Sequence, residues 1–218
     1  MSDCIKLLPS YLIKRYKSWK KVGYQENKSW YKKISNEGQN PSTMIISCCD
    51  SRLHVTSIFG ADSGEFFIHR NIANLVPPYN PNGDHHGTSA AIEYAVKVLK
   101  VSHIIIIGHS KCGGINSGFH LFKNKLNIKN TIFINKWLNI LRPSYQKVMN
   151  ISNNISDEDG INILEKESIK TSIDNLIKFP FIRESLKNNK LVLHGLWHDI
   201  GSGNIELLEP NSLKFIKI

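Results

Sequence analysis

Apolar residues along this chain recur in two rhythms. Met44-Ile45-Ile46 lies within residues 43–48 and Ile104-Ile105-Ile106-Ile107 within 103–108. Each run is apolar at successive positions and rich in β-branched residues, which predicts strands buried on both faces, as in a parallel sheet. Glu65–His69 and Lys190–His194 read as further strands. A turn at Gly201-Ser202-Gly203 leads into a short strand from Ile205 to Leu208, expected to make a hairpin at the sheet edge. The other rhythm is helical. Thr88 is placed as an N-cap, and Ala90, Ala91, Tyr94, Ala95, Val98 and Leu99 follow it as one apolar stripe. Residues 130–189 continue the pattern, with Ile169, Ile173, Leu176 and Ile177 on one face, Asp157 as a cap and Pro180 as a break. Pro77-Pro78-Tyr79-Asn80-Pro81-Asn82-Gly83 is a loop by its breakers. Leu7, Leu8, Tyr11, Leu12 and Ile13 among lysines, then Trp19, Trp30 and Tyr31, predict one or two helices over residues 5–35, outside the sheet and suited to packing on a neighbour.

Strands alternating with helices make an α/β fold: a mostly parallel central sheet flanked by helices, with an antiparallel edge strand and an N-terminal helical arm. The expected division is an arm over 1–35 and an α/β domain over 36–218.

Composition narrows the classes. Of 218 residues, 41% are hydrophobic and 21% charged, which excludes a wholly disordered chain. No apolar run approaches the ~18 residues of a membrane span. The net charge of +10 raises nucleic acid as a partner, but the lysines are dispersed rather than gathered with aromatics, so none is expected. The opening Met1-Ser2-Asp3-Cys4-Ile5-Lys6 lacks the pattern of a secretory leader. Four cysteines, two of them adjacent, favour reduced, metal-binding thiols and a cytoplasmic location.

The candidate chemistry sits where the two apolar runs end. Cys48-Cys49-Asp50-Ser51-Arg52 follows the first, and His109-Ser110-Lys111-Cys112-Gly113-Gly114 the second. Ligands of open α/β sheets bind outside the carboxyl ends of the strands. Cys48, His109 and Cys112 therefore aim at one edge, and two thiolates with one imidazole suit zinc with a fourth position open. In Cys-x-Asp-x-Arg, alternate residues share a face. Asp50 is suited either to that fourth position or to accepting a hydrogen bond beside it. A pair with Arg52 would hold Asp50 ionised and away from the metal.

These two segments, together with the run Gly64-Glu65-Phe66-Phe67-Ile68-His69-Arg70-Asn71-Ile72-Ala73-Asn74-Leu75-Val76-Pro77-Pro78 and with Ser89-Ala90-Ala91-Ile92-Glu93-Tyr94-Ala95-Val96, closely resemble the β-class carbonic anhydrases. His194-Gly195-Leu196-Trp197-His198-Asp199-Ile200-Gly201-Ser202-Gly203 resembles the family's closing strand and turn. The resemblance spans roughly residues 36–208. It implies Cys48, His109 and Cys112 as zinc ligands and Asp50 with Arg52 as a catalytic dyad. It also implies a carbon dioxide pocket shared across a dimer interface, with Gln39, Phe67 and Tyr94 in the substrate-binding roles, and a homo-oligomer of at least two chains. No Trp precedes the Cys-x-Asp motif, which matches the plant-like, non-allosteric subgroup.

The implied reaction is reversible hydration of carbon dioxide to bicarbonate and a proton, by attack of a zinc-bound hydroxide. Two thiolates make a poorer Lewis acid than imidazoles, which implies stronger activity at alkaline pH. Gly113 and Gly114 are expected to serve close backbone approach, Gly113 with an N–H that could reach bicarbonate. His54 stands as a candidate for proton transfer against an ordinary surface role, and His85 and His86 as solvated loop residues. Cys49 is unusual for the family, and the strand pleat predicts a buried bystander there. Hydrolysis of carbonyl sulfide or carbon disulfide uses the same kind of site. A non-catalytic zinc protein is disfavoured by the intact Asp50 and Arg52, and redox chemistry between adjacent Cys48 and Cys49 by the strain of such a bridge.

Overall fold

The structure, a computed structural model, describes residues 4–82, 86–124, 128, 130–151 and 155–218. Gly83 of the proline-rich loop and His85 lie outside the described residues. The chain divides into two compact units, residues 1–40 and 41–218.

The first unit carries helices α1 (Ser10–Lys21), α2 (Gly23–Glu26) and α3 (Lys28–Glu37). None of them has a buried residue. They are tied instead by aromatic rings, with Tyr24 stacked on Tyr31 at 5.4 Å and Trp19 edge-on to Tyr31 at 6.0 Å. Helix α3 runs on past the expected 35/36 boundary.

The second unit is built on a six-stranded sheet in the order β2-β1-β3-β4-β5-β6. Its strands are β1 (Thr43–Cys48), β2 (Phe66–Asn71), β3 (His103–His109), β4 (Val192–His198), β5 (Ile205–Leu208) and β6 (Phe215–Lys217). The first four pair in parallel, and β5 and β6 add antiparallel. Every residue of β1 is buried. Alternate side chains feed two cores: Ile45 packs with Ile107, Phe119 and Leu141, whereas Met44 and Ile46 pack with Ile104, Ile106 and Ile169. This two-sided burial is why β1 and β3 are apolar at successive positions.

Helices α4 (Val55–Ile58), α5 (Gly87–Glu93), α6 (Gly113–Lys123), α7 (Phe133–Leu138), α8 (Arg142–Ile151), α9 (Asp157–Ile177) and α10 (Pro180–Lys187) connect and cover the sheet. Helix α9 lies directly on it. A Cβ added at Gly108 or Gly195 would come within 2.9 or 3.0 Å of Ile169, so both strands need glycine where this helix crosses.

Several boundaries differ from expectation. Ser156, not Asp157, caps α9, accepting from the Asp159 N–H at 3.1 Å. Pro180 opens α10, where its missing N–H is harmless. Thr88 lies inside α5 and does not cap it; its hydroxyl is 3.0 Å from His69 Nε2. The apolar stripe after it is only partly a core face. A π-turn over Tyr94–Val98 shifts the helix, Ile92 and Ala95 are buried, and Tyr94 and Val98 remain 43% and 58% exposed. Strand β4 begins two residues late and ends at His198, and β5 is covered on its outer side by β6, so it is not the edge.

Candidate metal centre and active site

Strands β1 and β3 are neighbours, and both end at a donor. Cys48 closes β1 and His109 closes β3, and a turn through Ser110 and Lys111 delivers Cys112 to the start of α6. All three are buried, and their ligand atoms lie within 4.8 Å of one another. The thiols are free, with the Cys48 and Cys112 sulfurs 3.8 Å apart.

The histidine is oriented for coordination. A carbonyl can only accept, so His109 Nδ1–H donates to the Ser110 carbonyl at 2.9 Å. That leaves the lone pair on Nε2, which is buried and has no hydrogen-bond partner among the described residues. An orphaned buried acceptor is costly unless something fills the place, and two sulfurs face it. The donor set fits a borderline-soft divalent cation, zinc being the usual one. The contact between the two sulfurs draws the Cys48 pKa down against the opposing effect of burial. The same contact, together with burial, raises Cys112. The Asp50 N–H also points at the Cys48 sulfur, at 3.4 Å.

Asp50 and Arg52 form a two-pronged pair, with Nε–H donating to Oδ1 at 2.9 Å and Nη2–H to Oδ2 at 2.7 Å. The Arg52 N–H adds a bond to Oδ1 at 3.0 Å. These bonds hold the Asp50 carboxyl well below the usual carboxylate range. Oδ2 stands 3.9 Å from His109 Nε2, beside the donor set but not in it. Arg52 also reaches across to the Lys111 carbonyl at 3.0 Å, joining the loops after β1 and β3.

Further residues that sequence reading passed over hold these loops. Arg70 on β2 donates to the carbonyls of Cys48 at 2.9 Å, Asp50 at 2.8 Å and Leu53 at 2.8 Å. Ser110 donates its hydroxyl to Asp199 at 2.8 Å and accepts the Ile200 N–H at 2.9 Å, tying the His109 turn to the segment after β4. The Ser202 and Ser110 hydroxyls lower the Asp199 pKa to about 2. Glu165 of α9 is buried against Cys112, and that burial raises its pKa against the pull of its N–H donors.

Other expected residues fall elsewhere. Phe67 and Tyr94 meet at 5.8 Å between ring centroids. Phe67 pairs with Met44, four residues before the Cys48 level of the register, which is roughly 13 Å along the strand. Within one chain they do not join the metal cluster. Gln39 belongs to the first unit and is exposed. At Gly113 a Cβ would meet nothing within 4 Å among the described residues, so that glycine makes no close approach to them. At Gly114 it would meet Ile72 at 2.8 Å and Ala73 at 3.0 Å. Cys49 is exposed, not buried, because the strand stops at Cys48 and the pleat does not extend to it. It lines an open groove of about 970 Å³ with Ile72, Phe133, Ile134 and Trp137. His54 serves locally as the cap of α4, its Nδ1 accepting from Ser57 N–H at 3.4 Å with the Thr56 and Ser57 hydroxyls at 2.9 Å. His86 is exposed just before α5.

A family model described as "Carbonic anhydrase" matches residues 43–205. Beta carbonic anhydrase 3 of Arabidopsis thaliana is 36% identical over 201 residues, covering 90% of this chain and 77% of that protein. The chain belongs to the β-class carbonic anhydrases. Its reaction class is that of a carbonate dehydratase, a lyase, and hydration of carbon dioxide is the family's general reaction. Among solved structures, the β-carbonic anhydrase CcaA superposes with a TM-score of 0.88 at 27% identity, covering 95% of this chain and 98% of that one. A tetrameric β-carbonic anhydrase from Sordaria macrospora superposes at 0.77 with 32% identity, covering 91% and 95%. Superposition over this much of each chain shows that they share its α/β fold.

Proposed function

We propose that this chain hydrates carbon dioxide reversibly to bicarbonate and a proton at one zinc ion held by Cys48, His109 and Cys112. The observation that carries the reading is the buried Nε2 of His109, unpartnered among the described residues and facing two free sulfurs, with an ionised Asp50 just outside the cluster. Bound there, zinc would supply a Lewis acid that lowers the pKa of water enough to make a nucleophile near neutral pH.

The chain's residues do the rest. Arg52 saturates one side of the Asp50 carboxylate with hydrogen bonds and keeps it anionic. Asp50 can then only accept, and its position beside the donor set suits it to take a hydrogen bond from the attacking oxygen and so orient a lone pair toward the substrate carbon. Carbon dioxide offers almost no polar handle, so apolar walls must hold it. Phe67 and Tyr94 present such a wall at the molecular surface, with Tyr94 43% exposed. A second copy of the chain would bring that wall and Gln39 to a shared pocket, and the tetrameric Sordaria relative supports a homo-oligomer. No helix among the described residues is long and apolar enough to cross a membrane. The free thiols of the site are consistent with a reducing, cytoplasmic setting.

The test is a stopped-flow hydration assay across pH with metal analysis, and carbonyl sulfide as a parallel substrate. About one zinc per chain is expected. Asp50→Ala should keep zinc and lose hydration by about 10²-fold or more. Zinc-loaded protein that hydrates carbon dioxide no faster than buffer would refute the proposal.

A further inference from the structure

Glu165 takes no part in the chemistry above, yet it is a carboxylate only 1% exposed, in the interior of α9. Among the described residues no cation pairs with it. Both of its oxygens instead accept from neutral donors, Oε1 from the Cys112 N–H at 3.1 Å and Oε2 from the Trp197 indole N–H at 3.2 Å. The carboxyl thus offers one acceptor oxygen to each of two N–H groups, a match that an amide cannot make. A carboxyl in the core is a costly choice, and a glutamine of the same shape would be the cheaper one. It would also set its amide NH2 against one of the two donors.

The Cys112 N–H belongs to an unusual peptide. Lys111 has φ 54, the left-handed region that a lysine rarely occupies. The peptide between Lys111 and Cys112 is gripped at both ends: its carbonyl accepts from Arg52 Nη2 at 3.0 Å, and its N–H donates to Glu165. This peptide sets where the Cys112 side chain leaves the backbone. Arg52 therefore holds it from the exposed side and Glu165 from the interior.

We propose that Glu165 is a positioning residue: its paired acceptor oxygens clamp the Lys111–Cys112 peptide against the Trp197 indole and so aim the Cys112 sulfur at the metal. The proposal rests on the reading of Cys48, His109 and Cys112 as a zinc site. Its requirement is for two acceptors, not for bulk or polarity, and this separates it from a purely structural role.

The experiment compares zinc-loaded wild type, Glu165→Gln, Trp197→Phe and the double variant in full-length protein, following zinc release to an excess of chromophoric chelator. Groups that orient metal ligands typically change metal affinity by about 10–100-fold when removed, so Glu165→Gln should release zinc faster by about that factor. In the double variant no indole N–H confronts the glutamine amide, and Oε1 can keep the Cys112 N–H. Zinc retention should recover to about that of Trp197→Phe alone. If Glu165→Gln does not fold, a folded and zinc-retaining double variant still supports the proposal. Glu165→Gln holding zinc like wild type, or a double variant no better than Glu165→Gln, overturns it. Wild-type protein that takes up no zinc would instead defeat the zinc reading itself, and this proposal with it.

Discussion

Replacing Arg70 with alanine removes three hydrogen bonds from the loop that carries Cys48 and Asp50. The loss is uneven. The Asp50 carbonyl keeps a second donor, the Leu53 N–H at 3.0 Å. The carbonyls of Cys48 and Leu53 belong to residues 4% and 0% exposed and lose an ionic partner. An unpaired buried acceptor costs about 1–3 kcal/mol. The Arg70 residue is itself exposed, so water can fill part of the space it leaves. The low half of that range for each of the two carbonyls gives about 2–4 kcal/mol in all, set against a total stability of order 5–15 kcal/mol. The variant should fold, with its urea midpoint lowered accordingly. The larger effect should be on rate, because a misplacement of about 1 Å can cost about 10²-fold when reacting groups depend on alignment. Arg70→Lys should fall between, since one ammonium lacks the planar fork that serves several carbonyls. The assay is urea unfolding of zinc-loaded protein alongside stopped-flow carbon dioxide hydration. A stability change under about 0.5 kcal/mol, the range of an ordinary surface substitution, with kcat/KM unchanged, would refute the assigned role.

Arg52→Ala should free the Asp50 carboxylate to swing toward the metal, lowering hydration; a crystal structure of the zinc-loaded variant with Asp50 unmoved would remove the tether from the account. Native zinc-loaded protein should show fast thiol-reagent labelling at Cys4 and Cys49 alone, with Cys48 and Cys112 reacting only after chelation, and a further fast site would contradict the burial of the ligand thiols. Asp199 has its pKa lowered from 3.8 to about 2 by the Ser202 hydroxyl first and then by Ser110 and the Gly201 N–H. A depressed carboxyl contributes stability above its unfolded pKa and loses it as pH falls through the folded value. Wild type should therefore weaken between about pH 4 and about pH 2 more steeply than Asp199→Asn, and parallel acid-unfolding curves would count against this bond network.

What the sequence made legible was the chemistry-bearing set, because those residues sit where strongly apolar strands stop. Two-sided burial makes β1 and β3 conspicuous, and Cys48 and His109 are their last residues. The same reading failed one residue further on. Pleat alternation predicts a buried Cys49, but alternation holds only while the strand lasts, and at Cys49 the chain has turned to solvent. It failed again at β6, a three-residue strand that ends in Lys217 and is too short to show a periodicity. Gly113 and Gly114 were indistinguishable in sequence, and only packing separates the open position from the crowded one.

The residues that hold the site were hidden for a different reason. Arg70 and Glu165 grip backbone atoms of distant segments, 17–22 and 53 positions away in sequence. A carbonyl or an N–H has no residue identity, so no motif can announce that it needs a partner. Glu165 nevertheless left one readable sign. It lies four residues before Ile169, on the helical stripe that also carries Ser172 and Leu176, all of them buried. A carboxylate at a core position of a helix is expensive without a task, and the composition of that stripe is where such a residue could have been found. Arg70 left none, because a charged residue on an edge strand is ordinary. The ends of strands thus report what a site can do, while core positions filled by the wrong kind of side chain report what keeps it in place.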